Sequence, residues 1–225
     1  MKKQDAFDKF ISLFQIIIIV NFSLFIIFCL RQVNTNNFKK VQHQILFNAY
    51  GNPPLAMTGG DPYIRALMRT ITASEANFIK PYNVLYGGRY IADLSTHPNL
   101  CVKIARGPNK GKCTTAAGRY QFLNITWYEK ASQYHPQPNR VFPWVKYSFE
   151  PKYQDAVVYN WLKDSQAWGT DISKLLKQGN IDQVLKLLSN TWTSLGYGIE
   201  DNSMTQYLPQ IYDKMLQEEL QKLAN

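Results

Sequence analysis

Histidine and cysteine are scarce here, with three of each in 225 residues. His43, His97 and His135 are scattered, and His97 and His135 each precede a proline. They read as structural or solvated residues, so no metal site is expected. Zinc-finger spacing, an RRM signature and a long basic helix are all missing. A phosphate-cradling loop and a nucleophile elbow are missing too, and no cofactor is expected. No internal repeat is visible. Acids are few, with 16 Asp and Glu against 25 Lys and Arg, for a formal net charge of +9. That balance suits a polyanionic partner: nucleic acid, anionic lipid or an acidic cell wall. Charge alone does not choose among them. Nucleic acid has only the charge in its favour and is not expected.

The N-terminal stretch "ISLFQIIIIVNFSLFIIFCL", residues 11–30, carries no charge at all. Its length spans a bilayer core of roughly 30 Å as a helix. Gln15 and Asn21 weaken the run without breaking it. It ends "IIFCLRQ", with no small-residue cleavage pattern, and bulky Phe28 precedes Cys29. An uncleaved transmembrane anchor over residues 1–30 is therefore expected, with a lipid bilayer as partner, rather than a signal peptide. Lys2, Lys3 and Lys9 before the span and Arg31, Lys39 and Lys40 after it leave the orientation open. Residues 31–60 are polar and Asn/Gln-rich, close on "GNPPLAMTGG", and hold no helical or alternating pattern. They read as a linker, reaching roughly 30 Å root-mean-square if flexible. Residues 61–225 are enough for one domain with a sizeable core.

That domain opens with a helix. Asp61 can cap it, and Pro62 suits its first turn. Ile64, Leu67, Met68 and Ile71 form one apolar stripe at i, i+3, i+4 and i+7. The next member of the stripe is Glu75. Either the helix frays there and the carboxylate turns to water, as most glutamates do, or the carboxyl stays on the core face. In the second case burial raises its pKa, and the negative end of the helix dipole acts in the same direction. A carboxyl kept protonated near neutral pH is what a general acid in glycoside cleavage requires. Glycosidases usually pair two carboxylates, and the candidate partners are thin: Asp61, Asp93 and Glu129.

Short β-like runs broken by Pro81 and Gly87-Gly88, then a hairpin over "VKIARGPNKGK", predict a small antiparallel sheet across 82–116. Helices follow. "NITWYEKASQYH" carries a Thr126/Glu129 capping-box pattern. "EPKYQDAVVYNWLKD" has Pro151 in its first turn. "NIDQVLKLLSNTW" has Asn180 as cap and a stripe of Ile181, Val184, Leu185, Leu188 and Trp192. A last helix runs from about Ser203 to Leu223, interrupted early by Pro209. The sum is an α+β domain of mostly helical content.

"TTAAGRYQFLNITWYEKA", residues 114–131, resembles the stretch around A-G-R-Y-Q in the lambda-type phage lysozymes, which are lytic transglycosylases. The match continues in order. "SE" stands at 74–75, "YNV" and "GG" before Arg89, "DLSTHP" at 93–98, "PKYQDAV" at 151–157 and "SNTWTSLGYG" at 189–198. It covers about residues 64–200. The resemblance implies a lysozyme-like fold of two lobes, with a saccharide cleft between helices and the small sheet. It implies peptidoglycan glycan strands as partner and Glu75 as the sole catalytic carboxylate. The T4-type phage lysozymes instead place an Asp nine residues after their catalytic Glu, where this chain has Val84. By the same resemblance Arg119, Tyr120 and Gln121 line the cleft, with Tyr82 and Tyr197 as further sugar contacts. A core aromatic and a structural ion pair are the alternatives for Tyr120 and Arg119.

The implied activity is cleavage of the bond between N-acetylmuramic acid and N-acetylglucosamine, leaving a 1,6-anhydro sugar. A hydrolytic muramidase and an inactive wall-binding module are the alternatives. The substrate places the domain outside the cytoplasm, or in the periplasm, and a monomer is expected. The chain departs from the family at Ala76, where the family has Gly, and in a shorter loop from Glu75 to Tyr82. "PQPNRVFPWVKY" looks inserted, and the membrane anchor is foreign to the phage enzyme. The resemblance also makes the hairpin between Cys101 and Cys113 one lip of the cleft. Equal arms about Gly107 would set these cysteines opposite each other. With export, that spacing predicts a disulfide, two reduced thiols being the alternative. Lys103, Arg106, Lys110 and Lys112 lie inside it.

Overall fold

A computed structural model describes residues 52–105, 107, 109–137, 147–200 and 202–224. The expected membrane span, most of the linker, Arg106 and most of the "PQPNRVFPWVKY" stretch lie outside the described residues. Among the described residues no helix is long and apolar enough to cross a membrane.

The organising element is α1, Pro62–Glu75. Asp61 caps it by accepting the Tyr63 N–H at 2.9 Å, and Pro62 occupies the first turn, where no amide is needed. Ile64, Leu67, Met68 and Ile71 are fully buried, as the stripe requires. The opposite face is buried too, including Arg65, Arg69, Thr70 and Thr72. Thr70 and Thr72 satisfy their hydroxyls on the carbonyls one turn back. Truncating Leu67 or Ile71 to alanine would cost roughly 2–5 kcal/mol.

Among the described residues five helices follow the small sheet before a last one closes the chain. They are α2, Asn124–Tyr134; α3, Pro151–Lys163; α4, Ser165–Trp168; α5, Ile172–Lys177; α6, Ile181–Leu188; and the closing α7, Leu208–Ala224. The short α4 and α5 lie within the stretch that follows the Pro151 helix, where no separate helix is expected. Asp164 and Asp171 start them by accepting backbone N–H groups. Two expected caps differ. Thr126 and Glu129 fall inside α2, whose first amide is taken by Thr115 Oγ1 at 3.1 Å. Pro209 sits in the first turn of α7 instead of interrupting a longer helix, because a 3₁₀ turn at Thr205–Tyr207 precedes it.

The helix α7 is the main neighbour of α1. Leu208, Ile211, Tyr212 and Met215 supply its apolar face. Glu219, one turn on, meets the buried arginines of α1. Its carboxylate accepts from Arg65 Nε at 2.6 Å, Arg69 Nη1 at 3.0 Å and Lys222 Nζ at 2.7 Å. Burial pushes the Glu219 carboxyl up, but hydrogen bonds from Lys222 and Arg65 outweigh it and hold the group below its usual value.

The sheet is smaller than expected. It is one antiparallel pair, β1, Val102–Lys103, and β2, Cys113–Thr114. Residues 81–88 instead make two 3₁₀ turns, joined to the rest by isolated bridges at Val84–Tyr90, Leu85–Ala117 and Ala117–Phe122. Register also differs from equal arms: Cys113 faces Lys103, not Cys101. The turn is off-centre because Ile104 and Lys112 close it, with Ile104 N–H to Lys112 O at 2.9 Å. The cysteines are diagonal neighbours, joined by a disulfide with a Cα separation of 5.4 Å.

Residues 52–60 pack on the domain, although the sequence reads them as the end of a linker.

Candidate active site

Glu75 is the last residue of α1 and is half-buried. Ala76 follows with φ −145°, and its N–H still bonds Thr72 O at 2.8 Å. No positive φ is needed there, so alanine fits the position. The carboxyl points toward the 3₁₀ turn Thr193–Leu195, where Ser194 Oγ donates to Glu75 Oε1 at 2.5 Å. Ser74 ties the turn down from the other side. Its hydroxyl lies 2.5 Å from Ser194 O and 2.9 Å from Ser194 Oγ, and it accepts from Asn202 Nδ2 at 3.2 Å. Gly196 ends the turn at φ +91°, and any Cβ there would collide with Thr205.

Burial dominates the acidity of Glu75 and pushes its pKa up to about 7; the Ser194 hydrogen bond opposes the rise and the Glu200 charge adds to it. Glu200 is exposed and accepts from Thr193 Oγ1 at 2.8 Å. None of the three carboxylates proposed from sequence as partners is engaged with Glu75. Asp61 caps the far end of α1, Asp93 accepts Ser95 N–H, and Glu129 pairs with Lys130.

Arg119 and Tyr120 do not line a cleft. Both are fully buried. Arg119 Nε bonds Thr72 Oγ1 at 2.7 Å, one turn before Glu75. Its other nitrogens reach Pro54 O at 3.0 Å, Pro53 O at 2.8 Å, Asn52 Oδ1 at 3.0 Å and Tyr82 Oη at 3.0 Å. Tyr120 Oη donates to Asp155 Oδ1 at 2.7 Å. Asp155 Oδ2 accepts from Tyr82 Oη at 2.7 Å, Ala56 N–H at 2.7 Å and Met57 N–H at 3.1 Å. The A-G-R-Y-Q stretch is therefore an internal clamp that straps residues 52–57 over the core. Its glycine, Gly118 at φ +74°, leaves room for Gln154, whose Oε1 accepts the Arg119 N–H at 2.9 Å. Gln121 is half-buried at φ +47° and folds its amide back onto Gly118 O at 2.9 Å. Tyr82 has its hydroxyl spent in the same clamp. Tyr197, at φ +54° on the loop after Ser194, is half-buried with its hydroxyl on Asp182 at 3.2 Å. The buried His97 and His135 hold backbone carbonyls, of Phe122 and of Ser148 and Gln137.

A family model described as Endolysin matches residues 65–218. The chain belongs to the endolysin family. It is 32% identical to the endolysin of Escherichia phage lambda over 120 residues. That match spans 52% of this chain and 64% of the relative, just under two thirds of its length. Among solved structures, bacteriophage lambda lysozyme complexed with a chitohexasaccharide aligns at a TM-score of 0.52 and 26% identity, covering 71% of this chain and 97% of that one. The fold is lysozyme-like: mostly helices beside a small two-stranded antiparallel sheet.

The residues that touch or bias Glu75 come from the far end of the chain. Ser194 and Glu200 lie more than a hundred residues away, on a loop with no periodic pattern. The only foresight available was the ordered match through "SNTWTSLGYG". Asp155 was equally hidden, inside a helix, next to Gln154. The geometry offers one protonatable carboxyl with one hydroxyl donor. It can deliver a proton to an oxygen placed before it and take one back.

Proposed function

We propose that this chain cleaves peptidoglycan as a lytic transglycosylase, with Glu75 as its single catalytic acid and base. Glu75 gives its proton to the oxygen bridging N-acetylmuramic acid and N-acetylglucosamine. The C1–O bond breaks as the muramic C6 hydroxyl attacks C1 of its own ring, and Glu75 takes the C6 hydroxyl proton. The nucleophile is tethered, so its effective molarity is high. The products are a 1,6-anhydro end and a free 4-hydroxyl, and no water is consumed. The observation carrying the reading is a buried carboxyl at the end of α1, with a pKa near 7 and Ser194 as its hydrogen-bond donor. A group of that acidity supplies both steps near neutral pH.

Glu200 motivates a second reading. It is the acidic neighbour that raises Glu75, and a water held beside it would make the reaction hydrolytic. Mass spectrometry of digested peptidoglycan separates the two. Anhydro ends support the first reading, reducing ends the second, and intact strands an inactive wall-binding module. The anchor belongs to the same proposal: residues 11–30 hold the chain in the membrane with the domain outside the cytoplasm. The apolar run and the wall as substrate support it. A C-terminal reporter tests it, and a cytoplasmic signal from the uncut chain would remove it.

A further inference from the structure

The outer face of α6 is the floor of a surface groove of about 590 Å³. Gln183 and Lys186 line it at i and i+3 from one side of the helix, and Asn190 lines it from the turn that follows. All three are exposed, and none of their side-chain polar groups has a partner among the described residues. One bank is Trp168, from the short α4. Its indole N–H is spent on Trp161 O at 2.7 Å, and its ring stacks on Trp161 with centroids 5.1 Å apart. Trp161 and Trp192 lie beneath in the core, which makes Trp168 the partly exposed outer member of a three-indole stack. The other bank is Tyr197 and Ile199, the latter 52% exposed. The nearby Asp182 carboxylate is engaged by Tyr197 Oη.

We propose that this groove is a second saccharide-binding site for peptidoglycan, taking an N-acetylated sugar together with the carboxylate attached to it. The inference rests on the peptidoglycan reading above. Tyr197 follows Ser194 by three residues, so its Cα lies within about 11 Å of the residue that touches Glu75. A strand held at Glu75 can therefore run on into the groove. Sugar faces are apolar and their edges polar, so a ring site needs flat apolar banks and a few fixed polar groups. Trp168, Tyr197 and Ile199 supply the banks. Gln183 and Asn190 can bond acetamido or peptide amides, and the unpaired Lys186 ammonium selects a carboxylate. That carboxylate is either the lactyl group of the sugar or an acidic residue of its stem peptide.

The test uses the full chain in detergent with Glu75→Gln, so that strands bind without being cut. The probes are soluble glycan strands with stem peptides and the same strands stripped by an amidase. Lys186→Glu, an exposed change that leaves the core alone, should raise the Kd about tenfold for whichever of the two probes carries the carboxylate it selects. Trp168→Ala should weaken both probes, and Asn190→Ala repeats the test should the tryptophan variant fail to fold. A loss confined to stripped strands, on which the amidase has freed the lactyl carboxylate, assigns Lys186 to the lactyl group, and a loss confined to peptide-bearing strands assigns it to the stem. Unchanged Kd for both Lys186→Glu and Asn190→Ala overturns the groove while leaving the catalytic reading intact. Failure of the Glu75→Gln chain to bind any strand, with no cleavage by the unmutated chain, overturns both.

Discussion

Asp155 and Glu75 are both drawn into this domain, and they are treated in opposite ways. Asp155 is fully buried and accepts four hydrogen bonds, from Tyr82, Tyr120, Ala56 and Met57. Glu75 is buried at the mouth of the helix with a hydroxyl donor and an acidic neighbour. Donors around Asp155 replace the water it gave up, so burial there organises structure. Around Glu75 the replacement is incomplete, and the shortfall appears as a pKa lifted to about 7. An incompletely solvated carboxyl in a fold that fully satisfies another one nearby is a functional candidate on physical grounds.

The contrast can be broken first at Glu75. Glu75→Gln should lower cleavage of peptidoglycan by about 10²–10⁴ or more, the range for losing a general acid, while its circular dichroism at neutral pH and its melting at about pH 4 stay near those of the unmutated chain. Retained activity within tenfold would end the assignment. The same change carries a stability signature. Burial pushes the folded carboxyl up to about 7, against an ordinary glutamate value of 4.5. Its penalty is therefore absent below pH 4.5, grows between the two values and is complete above 7. Glu75→Gln should then stabilise the chain above pH 7, by on the order of 1–3 kcal/mol, read from denaturant midpoints.

Asp155→Ala should do the reverse, destabilising at all working pH by about 3–5 kcal/mol, because it leaves Arg119 and two tyrosines facing an emptied site. Limited proteolysis should then cut within residues 52–57 first. A fold that tolerates Asp155→Ala with no change in melting would show the clamp to be dispensable. Reducing the Cys101–Cys113 bond should have a smaller effect, near 3 kcal/mol by the chain-entropy estimate for a loop of this size, measured as a lower Tm in dithiothreitol. Smaller still are the changes that tune Glu75. Ser194→Ala removes a hydrogen bond that favours the charged form and should move the pH limb of cleavage upward. Glu200→Gln removes a repelling charge and should move it downward. Each shift should be under about one unit, or 1.4 kcal/mol.

Helical periodicity made Glu75 legible, because a charged residue on an otherwise apolar stripe breaks a pattern that spans one local element. Ser194 and Glu200 obey no such pattern and reach the site only through tertiary packing. The residues Arg119 and Tyr120 stand out in the sequence, and the structure places both inside the core. A motif displays residue types, and whether they face a cleft or the core depends on what covers them. Here the cover is residues 52–57, a Pro-rich segment whose composition resembles a linker and whose backbone groups are claimed by Arg119 and Asp155. The cysteine pair was readable from spacing, yet its register was not, since the hairpin turn closes at Ile104 and Lys112 and not about Gly107. Pro209 shows the same limit: it marks a helix boundary in sequence without saying on which side the helix lies.

The most direct test is a ¹³C-carboxyl NMR titration of the full chain in detergent, with the Glu75 resonance assigned by its loss in Glu75→Gln. A midpoint near pH 7, moving upward in Ser194→Ala, is the result expected of a carboxyl held short of donors at the end of α1. A midpoint near 4.5 would mean that Glu75 is solvated like any surface glutamate, and the acid–base role proposed for it would be contradicted.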